Sequence, residues 1–313
     1  MYDTRAEIAC LMYHEVTDHP SDTGFQRPAA RQYAHSRSAF RDHLERIAAR
    51  SLTPRLVYEL DFDRLGRHLL LTFDDGGKSA LDVAEELSRR GWLAHFFVVT
   101  SRIGERTFLD AYEIRWLRSC GHVIGSHSHT HPDIFRDQPR GRMLAEWRDS
   151  SAILEDILGE PCLAASVPGG DLSGYVLDTA SEAGFRFLFT SEPWFTPQRL
   201  GDCWIIGRVC LKAGMAPQAI EQLAQFRGWR RAQLLRGLKA VVRRGLGPLY
   251  RMYVAHITSP AGAPGIAGAA GVPDAAGSGS PAASASGASA APRRTPVSAA
   301  GPNAAGREST WKR

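Results

Sequence analysis

The sequence predicts an α/β fold in which one parallel sheet, open or closed into a barrel, alternates with helices. Three observations predict it. Short apolar runs bounded by polar residues or glycine recur from residue 8 to residue 211, stretches of helical period separate them, and polar clusters rich in Asp and His follow directly after several runs. With 313 residues, 43% of them hydrophobic and 23% charged, the chain can bury one substantial core, so a single catalytic domain is expected.

The strand-like runs are 8–12, 69–73, 94–99, 122–125, 163–167, 185–189 and 204–211, each short and continuously apolar, as strands covered on both faces are. The helical patterns are 38–51, 79–91, 111–120, 140–159, 173–184 and 217–226. Several carry Ser or Asp near the start and Gly91, Gly121, Gly159 or Gly184 just past the end.

In such folds chemistry sits on the loops that follow the strands, and three polar clusters lie there. They are Tyr13-His14-Glu15, Asp74-Asp75-Gly76 and His127-Ser128-His129-Thr130-His131. Two adjacent carboxylates in a pocket repel, so a cation or a shared proton is expected to relieve them. His127 and His131 with one of the carboxylates make a set of three ligands that leaves positions open for water and substrate, the arrangement of a catalytic metal. The second carboxylate is then free to act as a base, and the reaction class expected is hydrolysis of a small acyl group.

Thr72-Phe73-Asp74-Asp75-Gly76 and His127-Ser128-His129-Thr130-His131 resemble the first two signature motifs of the NodB-type polysaccharide deacetylases, and the resemblance extends over about residues 8–211. It implies a distorted (β/α) barrel of about seven parallel strands. It also implies a hydrolase that removes N- or O-acetyl groups from chitin-like, peptidoglycan or exopolysaccharide chains. By position, the resemblance makes Asp74 the base and Asp75, His127 and His131 the ligands of one divalent metal, with zinc the expected ion. His129 is not assigned.

Two parts of the family pattern are missing. The third motif, Arg-x-Pro-Gly, corresponds to Ser166-Val167-Pro168-Gly169, so Pro168 and Gly169 are expected to line the substrate groove while the Arg is absent. Arg208, at the end of a late strand, is a candidate to replace it. The last motif supplies a histidine as general acid, yet no histidine occurs between His131 and His256. His14 and His256 are the candidates for that role.

Plainer readings exist for each feature. Adjacent aspartates suit a helix N-terminus and its turn, and three histidines in five residues suit a hydrogen-bonded loop. An HxH pair also opens amidohydrolase barrels, but that reading needs histidines on later strands that this chain lacks. Glu15 and Asp133 read as surface residues. Trp194 could stack on a sugar, although an aromatic after a strand usually packs.

The five cysteines form no CxxC pair and read as reduced. The net charge of +5 is uneven: no acid occurs between Glu221 and Asp274, while eight Arg or Lys lie between Arg227 and Arg251. Basicity thus belongs to a C-terminal element and not to a nucleic-acid-binding body. That element reads as an amphipathic helix, with Leu234, Leu235, Leu238, Val241, Val242 and Leu246 on one face and Arg236, Lys239 and Arg243 on the other. It either docks on the barrel through its apolar face or contacts an anionic membrane. The expected organisation is a catalytic domain over 1–226, the basic extension over 227–258 and a disordered Ala/Gly/Pro/Ser-rich tail over 259–313.

The first residues lack a secretory pattern, and no run approaches the roughly 18 to 20 apolar residues of a membrane span. The expected location is therefore cytoplasmic or peripheral to the inner membrane. The expected partner is an acetylated glycan. Two other functions fit the same residues, a deacylase of small non-sugar amides and a catalytically silent glycan-binding protein of an exopolysaccharide system.

Overall fold

The computed structural model describes residues 6–50, 53–170 and 172–245, with side chains as far as residue 237. The chain opens with β1 (Ala6–Tyr13), then β2 (Glu15–Val16), β3 (Ala34–His35) and α1 (Arg37–Ala48). Regular alternation follows: β4 (Gly66–Phe73), α2 (Ser79–Ser88), β5 (His95–Val98), α3 (Ala111–Ser119), β6 (Val123–Ser126) and α4 (Arg140–Leu158). The described chain continues through β7 (Ala164–Ser166), α5 (Gly174–Glu182), β8 (Phe187–Phe189), β9 (Gln198–Leu200), β10 (Cys203–Ile206), β11 (Val209–Cys210), α6 (Pro217–Ala224) and α7 (Trp229–Gly245).

Every helix expected from the sequence is present, and so is every strand but the last, 204–211. The capping residues explain several helix bounds. Ser36 accepts from Ala39 N at α1, Asp110 and Glu113 form a reciprocal box at α3, and Ser173 accepts from Val176 N at α5. Gly159 ends α4 at φ 70°, a left-handed conformation that costs glycine little.

The main sheet has nine strands in the order β11-β1-β4-β5-β6-β7-β8-β10-β9, parallel throughout except for the edge pair β9 and β10. The late apolar run at 204–211 is not one strand. It breaks at Gly207 and Arg208, so that β10 pairs with β8 while β11 pairs with β1. One stretch of chain therefore touches both ends of the six-strand run β1-β4-β5-β6-β7-β8, which curls the sheet into a distorted barrel as expected.

Alternate residues on the strands feed two separate cores. Ile8, Cys10, Leu70, Phe97, Ala164, Phe189 and Ile206 form one buried cluster. Their neighbours Ala9, Leu11, Leu69, Leu71, Phe96 and Val98 join the other, which includes Phe40, Leu44, Val83, Leu87, Trp147 and Leu154 from the helices. Burial on both faces is why these strands read as unbroken apolar runs.

The basic helix begins at Trp229, which is buried and donates its indole Nε1 to Leu223 O at 2.9 Å. The two described leucines of its expected apolar face do not dock. Leu234 and Leu235 are 76% and 54% exposed, whereas Arg236 turns inward to Glu192 and to Gly170 O. A carboxylate and a carbonyl on the domain surface satisfy the guanidinium better than a leucine would satisfy them. The extension beyond residue 245 and the tail at 259–313, including His256, lie outside the described residues. Among the described residues no helix is long and apolar enough to cross a membrane.

Candidate active site

Asp74 and Asp75 follow β4 directly, and Asp74 N donates to Tyr13 O at 3.0 Å, extending the β1–β4 ladder by one rung. Asp75 then adopts φ 78°, a left-handed conformation that is strained for a residue with a side chain. Two residues of the histidine segment share this feature, Ser128 at φ 64° and His131 at φ 54°. Such conformations persist where surrounding bonds over-determine them, and the bonds are visible. Ser128 N donates to Ser126 Oγ, His131 N to Ser128 Oγ, and Thr130 N to the buried Glu146 of α4 at 2.6 Å.

These turns bring three ligand-type atoms together. Asp75 Oδ1 lies 3.4 Å from His127 Nε2 and 3.8 Å from His131 Nε2, and the ligand atoms of the three residues all fall within 4.8 Å of one another. His127 Nδ1 lies 3.0 Å from Ser166 O, a geometry that assigns the proton to Nδ1 and leaves the Nε2 lone pair facing the cluster. His129 is turned away, its Nδ1 2.9 Å from Thr100 Oγ1. The donor set of two imidazoles and a carboxylate, with the backbone carbonyl behind His127, fits a divalent metal ion.

Asp74 is held differently. Arg208 Nη1 donates to its Oδ1 at 2.7 Å and Arg208 Nη2 to its Oδ2 at 2.9 Å, while Ser166 Oγ donates to Oδ2 at 3.0 Å. Arg208 further donates from Nη1 to Thr72 Oγ1, from Nη2 to Ser166 Oγ and from Nε to Thr190 O. The guanidinium is fully buried, and its carbon stands 5.6 Å and 5.9 Å from the ring centres of Phe97 and Phe189 in the inner core. An arginine is thus present at Asp74, delivered by the break between β10 and β11 and not by the segment that begins at Ser166. The sequence signal for it is a lone cation inside the apolar run 204–211, which requires a buried anionic partner. Ser166, noted in the sequence only as standing where the motif has Arg, gave no sign of its bond to Asp74, because a serine at a strand end has no distinctive pattern.

The electrostatics follow from these contacts. Burial pushes both carboxyls up, but the Arg208 guanidinium and then His127 hold Asp74 below the usual carboxylate range, and His127, His14 and His131 do the same for Asp75. His127 is opposed by burial and lifted by Asp74 and Asp75, whereas burial and the neighbouring His127 push His131 down to about 4.

His14 follows β1 and stacks on Tyr33 with ring centres 4.6 Å apart. Its Nδ1 is buried with no hydrogen-bond partner, and it interacts with the charges of Asp75, Asp74 and His127. Glu15, expected at the surface, is buried. It accepts from Gly24 N at 2.7 Å and Ser79 Oγ at 2.5 Å, pinning the segment that leads to Phe25 and Arg27. The Phe25 ring lies 5.1 Å from that of His131. Asp133 is exposed as expected and pairs with Arg27. Pro168 is buried and Gly169 exposed in a short turn directly after β7 and Ser166. Trp194 packs against the core and crowds Gly207, where a Cβ would lie 2.2 Å from Trp194 O.

The fold and site define a class, an α/β barrel with an Asp-His-His cluster beside a buried aspartate. Residues 63–188, which include Asp74, Asp75, His127, His131 and Ser166, match the model of the family described as polysaccharide deacetylase. The family resemblance read from the two motifs is thereby borne out, and the match together with the fold indicates a deacetylase enzyme.

Solved structures share the fold. The Streptococcus pyogenes deacetylase PplD, solved with acetate, superposes with TM-score 0.60 at 18% identity over 71% of this chain and 99% of its own. IcaB from Ammonifex degensii gives 0.57 at 20% identity over 71% and 98%, and a polysaccharide deacetylase from Bacillus cereus 0.60 at 19% over 70% and 69%. No curated protein matches the sequence.

Proposed function

We propose that this chain is a metal-dependent hydrolase that removes acetyl groups, N-acetyl foremost, from a polysaccharide or its lipid-linked precursor. The carrying observation is the pairing of two differently treated carboxylates. Asp75 faces imidazole nitrogens, as a ligand would, while both oxygens of Asp74 are held by Arg208 beside that cluster.

Asp75, His127 and His131 would hold the ion, with zinc the expected one. When bound, it supplies Lewis-acid polarisation of an acyl carbonyl and makes water easier to deprotonate. Asp74, kept ionised by Arg208 and His127, takes the proton from the attacking water. The paired geometry fixes the orientation of that carboxylate, so that it need not reorganise during the reaction. His14 is the candidate to hand a proton to the departing amine, on the strength of its buried and unpartnered Nδ1; burial lowers its affinity for that proton, against the pull of Asp75 and Asp74. Pro168 and Gly169 form one wall of the groove for the glycan. A glycan pool at or near a membrane surface suits the basic helix.

A catalytically silent reading rests on the missing arginine and the unplaced general acid, and the pairing of Arg208 with Asp74 answers only the first. The test is acetate release from a panel of acetylated polysaccharides and small amides, with metal-replete and chelated protein. Release from at least one glycan, lost on chelation and restored by metal, is the expected result. Release only from small amides, or from none, would replace the proposal.

A further inference from the structure

Helix α7 presents the domain with an outward face that nothing in its docking requires. Trp229, Ala232 and Arg236, spaced to lie on one side of a helix, make the contacts to the domain: Trp229 is buried, Ala232 packs on the core and Arg236 pairs with Glu192 at 2.8 Å. The opposite side carries Arg230, Arg231, Leu234 and Leu235, all exposed. Each leucine stands four residues after an arginine, so apolar and cationic groups share the same strip. The other exposed large apolar residues among the described ones, Tyr58, Leu65, Tyr112, Leu163 and Tyr175, lie apart in the sequence.

Two exposed leucines set among arginines, on a stretch with no acid from residue 222 to residue 273, match one kind of surface. We propose that the outward strip of α7 binds the surface of an anionic lipid bilayer. The leucines enter the acyl boundary and the arginines pair with lipid phosphates. Charge decides against a second copy of this chain, because a two-fold contact through the strip would set Arg230 and Arg231 against their own counterparts with no acid in the stretch to relieve them. The contact has a consequence for the site. Arg236 also bonds Gly170 O, in the turn that holds Pro168 and Gly169, so a helix lying on a bilayer would carry the groove wall at a fixed distance from it.

Binding does not depend on the catalytic reading and is measured without it. Full-length protein is sedimented with vesicles of phosphatidylcholine alone and of phosphatidylcholine containing phosphatidylglycerol. The expected result is binding to the anionic vesicles only, weakened by salt. Leu234→Asn with Leu235→Asn, and separately Arg230→Gln with Arg231→Gln, should each weaken it about tenfold, with the thermal melt and acetate release from a soluble glycan unchanged. No binding by the parent, or equal binding by the leucine variant, overturns the proposal. So does a concentration-dependent dimer that disappears in the leucine variant, which would assign the strip to a second copy.

Discussion

Arg208 and Asp74 meet end-on, Nη1 to Oδ1 at 2.7 Å and Nη2 to Oδ2 at 2.9 Å, with the arginine fully buried. A pair of this kind is costly to break from either side, because the partner left behind is an uncompensated charge away from water. Arg208→Met is expected to destabilise the fold by about 3 to 5 kcal/mol in urea denaturation. Arg208→Lys keeps a charge but not the planar fork. It should recover part of that stability while acetate release stays well below the parent. Equal kcat in Arg208→Lys and the parent would show that the fork does not position Asp74.

Asp74→Asn tests the base directly. Loss of the proton acceptor should lower kcat by about two to four orders of magnitude. Metal content by elemental analysis should equal that of the parent, since the ligand atoms belong to Asp75, His127 and His131.

Asp75→Ala and His127→Ala address the other half of the site. Each removes one ligand of three and should lose bound metal together with activity, whereas His129→Ala, whose ring turns to Thr100, should keep both. Equal metal in all four proteins would sink the assignment.

Glu15 sets a pH dependence of stability. Burial raises its carboxyl from 4.5 to about 7, against the hydrogen bonds of Ser79 and Gly24. The folded state therefore holds the proton more tightly than the unfolded chain. The contribution is fully present below pH 4.5 and is lost as pH rises through about 7. The total is up to roughly 3 kcal/mol. Glu15→Gln, which can still accept from Gly24 N, should lose less stability than the parent between pH 5 and pH 8, measured as thermal midpoints.

Gly207→Ala places a methyl 2.2 Å from Trp194 O and 2.6 Å from Glu192 O, backbone that cannot swing aside. The expected outcome is displacement of Arg208, read as reduced kcat and a lower melting temperature, with metal content retained.

Much of this molecule was legible from local pattern. The strands read as apolar runs because both of their faces are buried, and helix ends read from a Ser or Asp near the start and from glycines such as Gly159, because caps act within a few residues. The Asp-His-His set was legible for a related reason. Asp75 and His127 lie within two residues of a strand end and His131 within five, and strand ends converge in a barrel.

What the sequence by itself determined is therefore everything carried by short-range periodicity: the α/β class, the order of elements and the two motifs. Only the tertiary structure decided which arginine reaches Asp74, why Glu15 is buried and which face of α7 docks. Arg208 is 134 residues from Asp74 along the chain, and Glu15 is 64 from Ser79. Such contacts depend on the break at Gly207 and on the curl of the sheet. No window of sequence encodes either, because both arise from the closure of strands that are distant in the chain.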